Sequence, residues 1–105
     1  MTRIKNAENV TKIIMKPEAV AKCKIGQDWY KMHFEIEFLP EDCYPDYIEV
    51  NDFVMEQIDG KELNIEEAAK ILYDMLSRSY DPKSVKVTNH IVGCKTHFDV
   101  DVTIG

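Results

Sequence analysis

The chain has 105 residues, 45% of them hydrophobic, and a formal net charge of −6. That length supplies one domain, 1–105, with a core of ordinary size and no material for a second. The acidic balance argues against gripping nucleic acid by bulk charge, and no apolar run approaches the roughly 20 residues of a membrane helix.

With a polar start, "MTRIKNAENV", that has no apolar leader segment, a soluble cytoplasmic protein with no membrane contact is expected. Cys23, Cys43 and Cys94 are odd in number and lack metal-type CxxC spacing, so reduced thiols are expected rather than disulfides or a zinc knuckle. Charge is unevenly spread. Residues 1–31 hold seven basic and three acidic side chains, and the rest is strongly acidic. Residues 1–18 read as a basic N-terminal arm, able to meet RNA phosphates, the acidic face of a neighbouring copy, or solvent.

From Tyr30 to Phe38, apolar residues alternate with Lys31, His33, Glu35 and Glu37, the period of a half-buried strand. Leu39-Pro40 ends it. After the acidic loop "PEDCYPD" a short extended piece is predicted over Tyr47 to Val50, then a short helix in "NDFVMEQI", capped by Asn51 or Asp52 and stopped at Gly60. Asn64 and Glu67 form a capping box ahead of a second helix whose Ile65, Ala68, Ala69, Leu72, Met75 and Leu76 make one apolar stripe. Pro82 turns the chain out at Asp81. Val85, Val87 and Ile91, a turn near Gly93, and the alternation of Phe98, Val100, Val102 and Ile104 predict a closing hairpin.

The order gives an α+β domain: an antiparallel four-stranded sheet in ββααββ order with two helices on one face. The other face would show Glu35, Glu37, Asp99, Asp101 and the histidines His33, His90 and His97. A sheet this small leaves open edges, which copies joined edge to edge into an oligomeric barrel would cover. The histidines lack a His-x-His pair and read as solvated or networked side chains, so no metal is expected. Cys43 and Cys94 receive no role.

Four stretches, "CKIGQD" before the long strand, "YIEV" after the acidic loop, "NIEEAAKILYDML" and "DPKSVKV", together resemble the tunnelling-fold (T-fold) enzymes. Within them the chain is similar to the nitrile reductases acting on 7-cyano-7-deazaguanine (preQ0) and to their short archaeal relatives that make archaeosine. The resemblance, from about Cys23 to Ile104, implies that Cys23 attacks a nitrile carbon to form a thioimide, that Asp28 handles the proton, and that Glu66 anchors a purine-like ring. A thiolate suits nitrile addition, and a carboxylate can accept two hydrogen bonds from a guanine-type N–H edge.

Some positions depart from the pattern. The interval from Cys23 to Asp28 is short, and no proline precedes Asp28. Where the reductases carry Glu-Ser-Lys-Ser, this chain has Glu49-Val50-Asn51-Asp52, and Ile65 replaces a histidine before Glu66. Glu49 is carried over as a second substrate contact. The lost lysines remove the cations expected to hold NADPH, so no cofactor is expected and ammonia, as in the archaeal relatives, would resolve the thioimide. The implied partners are a purine-like small molecule or preQ0-modified tRNA, and further copies of the chain. An NADPH-dependent reductase and a purine- or pterin-binding module without chemistry are the alternatives; a purely structural oligomer is a third.

Overall fold

Alternation is strict in the strand β4 (Trp29–Leu39), where Tyr30, Met32, Phe34, Ile36 and Phe38 are buried and the residues between them face outward. The computed structural model describes residues 1–92 and 98–105. Around β4 lie β1 (Arg3–Lys5), β2 (Ile13–Met15), β3 (Glu18–Lys22), β5 (Cys43–Pro45), α1 (Tyr47–Gln57), α2 (Ile65–Tyr80), β6 (Ser84–Ile91) and β7 (Val100–Ile104).

β2 and β3 both pair antiparallel with β4, and they share one register: Ile13 faces Phe38, Met15 faces Ile36, Glu18 faces His33 and Lys22 faces Trp29. They are one strand interrupted at Pro17. Proline has no N–H to give to a ladder and is tolerated at a sheet edge, while its carbonyl still accepts from Phe34 N at 2.9 Å. Counted this way the sheet has, among the described residues, four positions, β2/β3, β4, β6 and β7, all antiparallel. β1 and β5 form a separate two-stranded ribbon.

The two helices cover one face, as expected. Val50, Val54 and Ile58 from α1 and its end, with Ala68, Ala69, Leu72 and Leu76 from α2, pack on the apolar side of the sheet. The capping box forms, Asn64 N donating to Glu67 Oε1 at 3.2 Å, and α2 ends in a left-handed Asp81 before Pro82. Two expectations need correction. Tyr47–Val50 is not extended but opens α1, and the cap is Asp46, whose Oδ1 accepts from Ile48 N at 2.9 Å, rather than Asn51 or Asp52. The β-branched Ile48 and Val50 favour a strand locally, but burial of Val50 and Val54, four residues apart, requires a helix there. The first strand of the ββααββ order is therefore residues 13–22, which charge alone marked only as basic. The turn expected near Gly93, with Cys94 and His97, lies outside the described residues.

Those basic residues meet the chain's own acidic face. On the outward side of the sheet Lys12 and Lys86 both reach Glu37 (3.0 and 2.7 Å), Lys16 reaches Glu35 (3.8 Å) and Lys31 reaches Glu18 (3.1 Å). Hydrogen bonds from Lys86 and then Lys12 hold the Glu37 carboxyl below the ordinary carboxylate value. A carboxyl whose folded-state pKa is depressed stabilises the fold above its unfolded pKa, and that contribution is lost as pH falls through the folded one. Glu37→Gln should therefore lower the urea midpoint at neutral pH, with the gap to the parent protein closing in strong acid and narrowing in high salt. An unchanged gap at acid pH would contradict the pairing.

Candidate functional site

At the end of the β3–β4 ladder the register carries on for one more rung. Cys23 N donates to Asp28 O at 2.8 Å, so these two residues sit opposite each other, one step beyond the Lys22–Trp29 pair. Opposed residues in an antiparallel pair have Cα atoms roughly 4.5–5.5 Å apart and side chains on the same face. The alternation that buries Ala19, Ala21, Tyr30 and Met32 puts Cys23 and Asp28 on the helix-covered side. The short interval between them, which stood out as a departure from the family pattern, produces this opposition.

Four residues make the turn, and it is held from within. Gln27 adopts a left-handed φ of 58°, its backbone N donates to Cys23 O at 3.0 Å, and its side-chain amide reaches Lys24 O at 2.9 Å and Glu62 Oε1 at 3.2 Å. Gly26 N points at the Cys23 sulfur, 3.4 Å away. Cys23 is half-buried, whereas Cys43 is 6% exposed and donates to the Tyr80 carbonyl.

The start of α2 is fastened to this turn. Lys24 Nζ lies 2.8 Å from Glu67 Oε2, and that bond, with the amide of Asn64, holds the Glu67 carboxyl below its ordinary value. The Tyr30 hydroxyl donates to the Leu63 carbonyl. Backbone bonds from Lys22 to Lys61 and from Leu63 to Lys22 lay residues 61–63 along the outer edge of β3. Asn89, fully buried on β6, donates to the Ile65 carbonyl at 3.2 Å.

Between the turn and the helix start is a cavity of about 400 Å³, within the range of roughly 300–1,000 Å³ typical of small-molecule sites. Cys23, Asp28 and Glu66 all line it. Ile65, Ile91 and Val100 make its apolar wall. Glu66 is exposed and, among the described residues, its carboxylate has no hydrogen-bond or ion-pair partner, whereas its neighbour Glu67 is occupied by the cap and by Lys24. A thiol, a facing carboxyl and an uncommitted carboxylate in one cavity can seat a flat polar ring by its N–H edge and present a substituent to sulfur.

Glu49 is elsewhere. It stands in the first turn of α1, where both carboxylate oxygens are taken by Thr2, from N at 2.7 Å and from Oγ1 at 2.6 Å, which holds it below the ordinary carboxylate value. Sequence reasoning did not single out Ile25, Gly26, Tyr30, Asn64, Ile91 or Val100 as part of a site. Tyr30 was visible only as a core position of a strand, and nothing local announces that Ile91 and Val100 come to the side of Cys23.

No family model matches the chain, and no curated protein matches it in sequence. Solved structures do match its fold. The chain is similar to the archaeosine synthase QueF-like in its apo form, with a TM-score of 0.81 and 21% identity over 90% of this chain and 92% of that one. It is also similar to a FolB protein of Vibrio cholerae named as a dihydroneopterin aldolase, with a TM-score of 0.71 and 18% identity over 89% of this chain and 93% of that one. The fold is the T-fold. Exposure decides the first test of the site: iodoacetamide should label Cys23 in the native protein and leave Cys43 unmodified until denaturant is added, each read by peptide mass spectrometry. Equal native labelling of the two would contradict the geometry.

Proposed function

We propose that this chain binds a 7-deazaguanine-type base through Glu66, captures the nitrile of preQ0 on Cys23, and passes the resulting thioimide to ammonia. The observation that carries this reading is the opposition of Cys23 and Asp28 on one rung, in the same cavity as the uncommitted Glu66. Similarity in fold to an archaeosine synthase supports it. In the first step the Asp28 carboxylate takes the thiol proton, sulfur adds to the nitrile carbon, and the proton moves on to the nitrile nitrogen, giving a neutral thioimide. Ammonia then adds to that carbon. The C–S bond breaks, sulfur leaves as thiolate, and the protons of ammonia stay with the product, which is the amidinium.

Reduction by NADPH fits less well. Residues 49–52 are helical, Glu49 is engaged by Thr2, and no lysine stands in that stretch to meet a phosphate. A binding module without chemistry keeps one argument, since the apolar walls and Glu66 alone would hold a ring. It differs from the enzyme reading in leaving sulfur unreacted. The substrate would be the free base or the same base carried on tRNA. The outer edges of β2 and β7 carry no partner strand among the described residues, which supports assembly of several copies edge to edge.

Incubation with preQ0 should add the mass of the base to the intact protein, and Cys23→Ala should abolish the adduct. An adduct that survives that substitution would overturn the assignment of the nucleophile. Glu66→Gln should weaken binding of the base by calorimetry by roughly 1.5–3 kcal/mol, the usual worth of hydrogen bonds to a charged group. Light scattering should give a mass of several chains; a well-folded monomer at micromolar concentration would exclude the assembly.

A further inference from the structure

The face of the sheet turned away from the helices carries a row of four titratable side chains in direct register. Glu18 on β3 faces His33 on β4, His33 faces His90 on β6, and His90 faces Asp101 on β7. The two central residues are the imidazoles, and each is held by a carboxylate on its outer side. His33 Nδ1 lies 3.2 Å from Glu18 Oε1, and His90 Nδ1 is hydrogen-bonded to Asp101 Oδ1. The ring centroids are 6.2 Å apart and the planes are tilted by 54°. Both rings remain more than a third exposed, so solvent and its ions reach them.

Metal-binding histidines usually donate the ring N–H that does not ligate to a carboxylate or carbonyl, which fixes the tautomer and turns the other nitrogen outward. Here that arrangement occurs twice, side by side. In the neutral ring with Nδ1 given to its carboxylate, Nε2 carries the lone pair, and neither Nε2 has a partner among the described residues. One ion 2.0–2.1 Å from two such nitrogens sets ring centroids roughly 5–6 Å apart, so the observed spacing needs only a small closure. Glu18 and Asp101 add two negative charges, against Lys31 on Glu18. No set of three or more donors converges among the described residues, so the protein supplies no finished cage.

We infer that His33 and His90 form an open two-imidazole site for a late first-row divalent cation such as Zn(II), Ni(II) or Cu(II), with Glu18 and Asp101 as positioning residues. Imidazole pairs select these ions over magnesium and calcium, which prefer oxygen donors. Water, or a donor brought by a second molecule, completes the coordination, so the affinity is weaker than that of a four-ligand structural zinc site. The site lies on the opposite side of the sheet from the cavity holding Cys23, and it does not depend on the function proposed for that cavity.

Zn(II) alone, titrated calorimetrically into the reduced protein, should bind at one equivalent per chain. Long-range proton–nitrogen NMR of the histidines should show the Nε2 signals of His33 and His90 shifting while both Nδ1 atoms stay protonated. His33→Ala and His90→Ala should each lower affinity at least about tenfold, Asp101→Asn by roughly 10–100-fold, and Cys23→Ser should leave it unchanged. These side chains are exposed, so the variants should fold, and thermal unfolding checks that they do. Absence of stoichiometric binding, binding insensitive to both histidine substitutions, or binding lost in Cys23→Ser would each overturn the proposal.

Discussion

The register shared by residues 13–22 and β4 is the constraint on which the other features rest. Side chains alternate across a sheet, so a slip of one residue would turn Ala19 and Ala21 outward and carry Cys23 to the opposite face from the helices. Burial makes that slip costly, because Met15, Ala19 and Ala21 would leave the core and the row of Tyr30, Met32, Phe34, Ile36 and Phe38 would lose them as neighbours. The same ladder that fixes the core therefore fixes the position of the thiol.

Placing the thiol is only half of a site, and the second half comes from distant sequence. The start of α2 is tied to the strand end by the Lys24–Glu67 pair, the Tyr30 hydroxyl on Leu63, the Asn89 amide on Ile65 and the backbone bonds of residues 61–63. The ties from the strands and the turn end on the first turn of α2 or on residues 61–63 leading into it, so Glu66 is held relative to Cys23 without being consumed itself. Asn89 pays for its place: its Oδ1 is buried with no partner among the described residues, a cost tolerated where the amide anchors a helix beside a cavity. The Tyr80 hydroxyl is likewise buried and unpaired, and burial first, then nearby acidic groups, pushes its pKa up to about 12.

Period and caps made much of the fold legible in the sequence. The alternation of β4, the stripe and capping box of α2, and the exit at Pro82 are local signals, and all three were read correctly. What was missed depends on tertiary context. Ile13–Met15 and Glu18–Lys22 were hidden because lysines and a proline interrupt the apolar pattern and the outward-facing Ile14 and Val20 blur the alternation of an edge strand. The start of α1 was misplaced because β-branched residues there outweigh, locally, a cap that only Asp46 supplies. Within the cavity, Cys23, Asp28 and Glu66, and Ile65 as the residue in place of a family histidine, were nameable through family resemblance, while Ile91 and Val100 were not, since packing rather than motif brings them to its wall. The charge asymmetry was visible but not its outcome, which is lysine pairing within one chain.

In the proposed function, sulfur and the Glu66 carboxylate address opposite ends of a single bound ring. A crystal structure of the protein soaked with preQ0 tests it most directly. The expected result is electron density continuous from Cys23 Sγ to the former nitrile carbon, with the N–H edge of the ring on the Glu66 carboxylate and Asp28 beside the imide nitrogen. A ring seated away from Glu66, or an unmodified sulfur beside a fully occupied base, would contradict it.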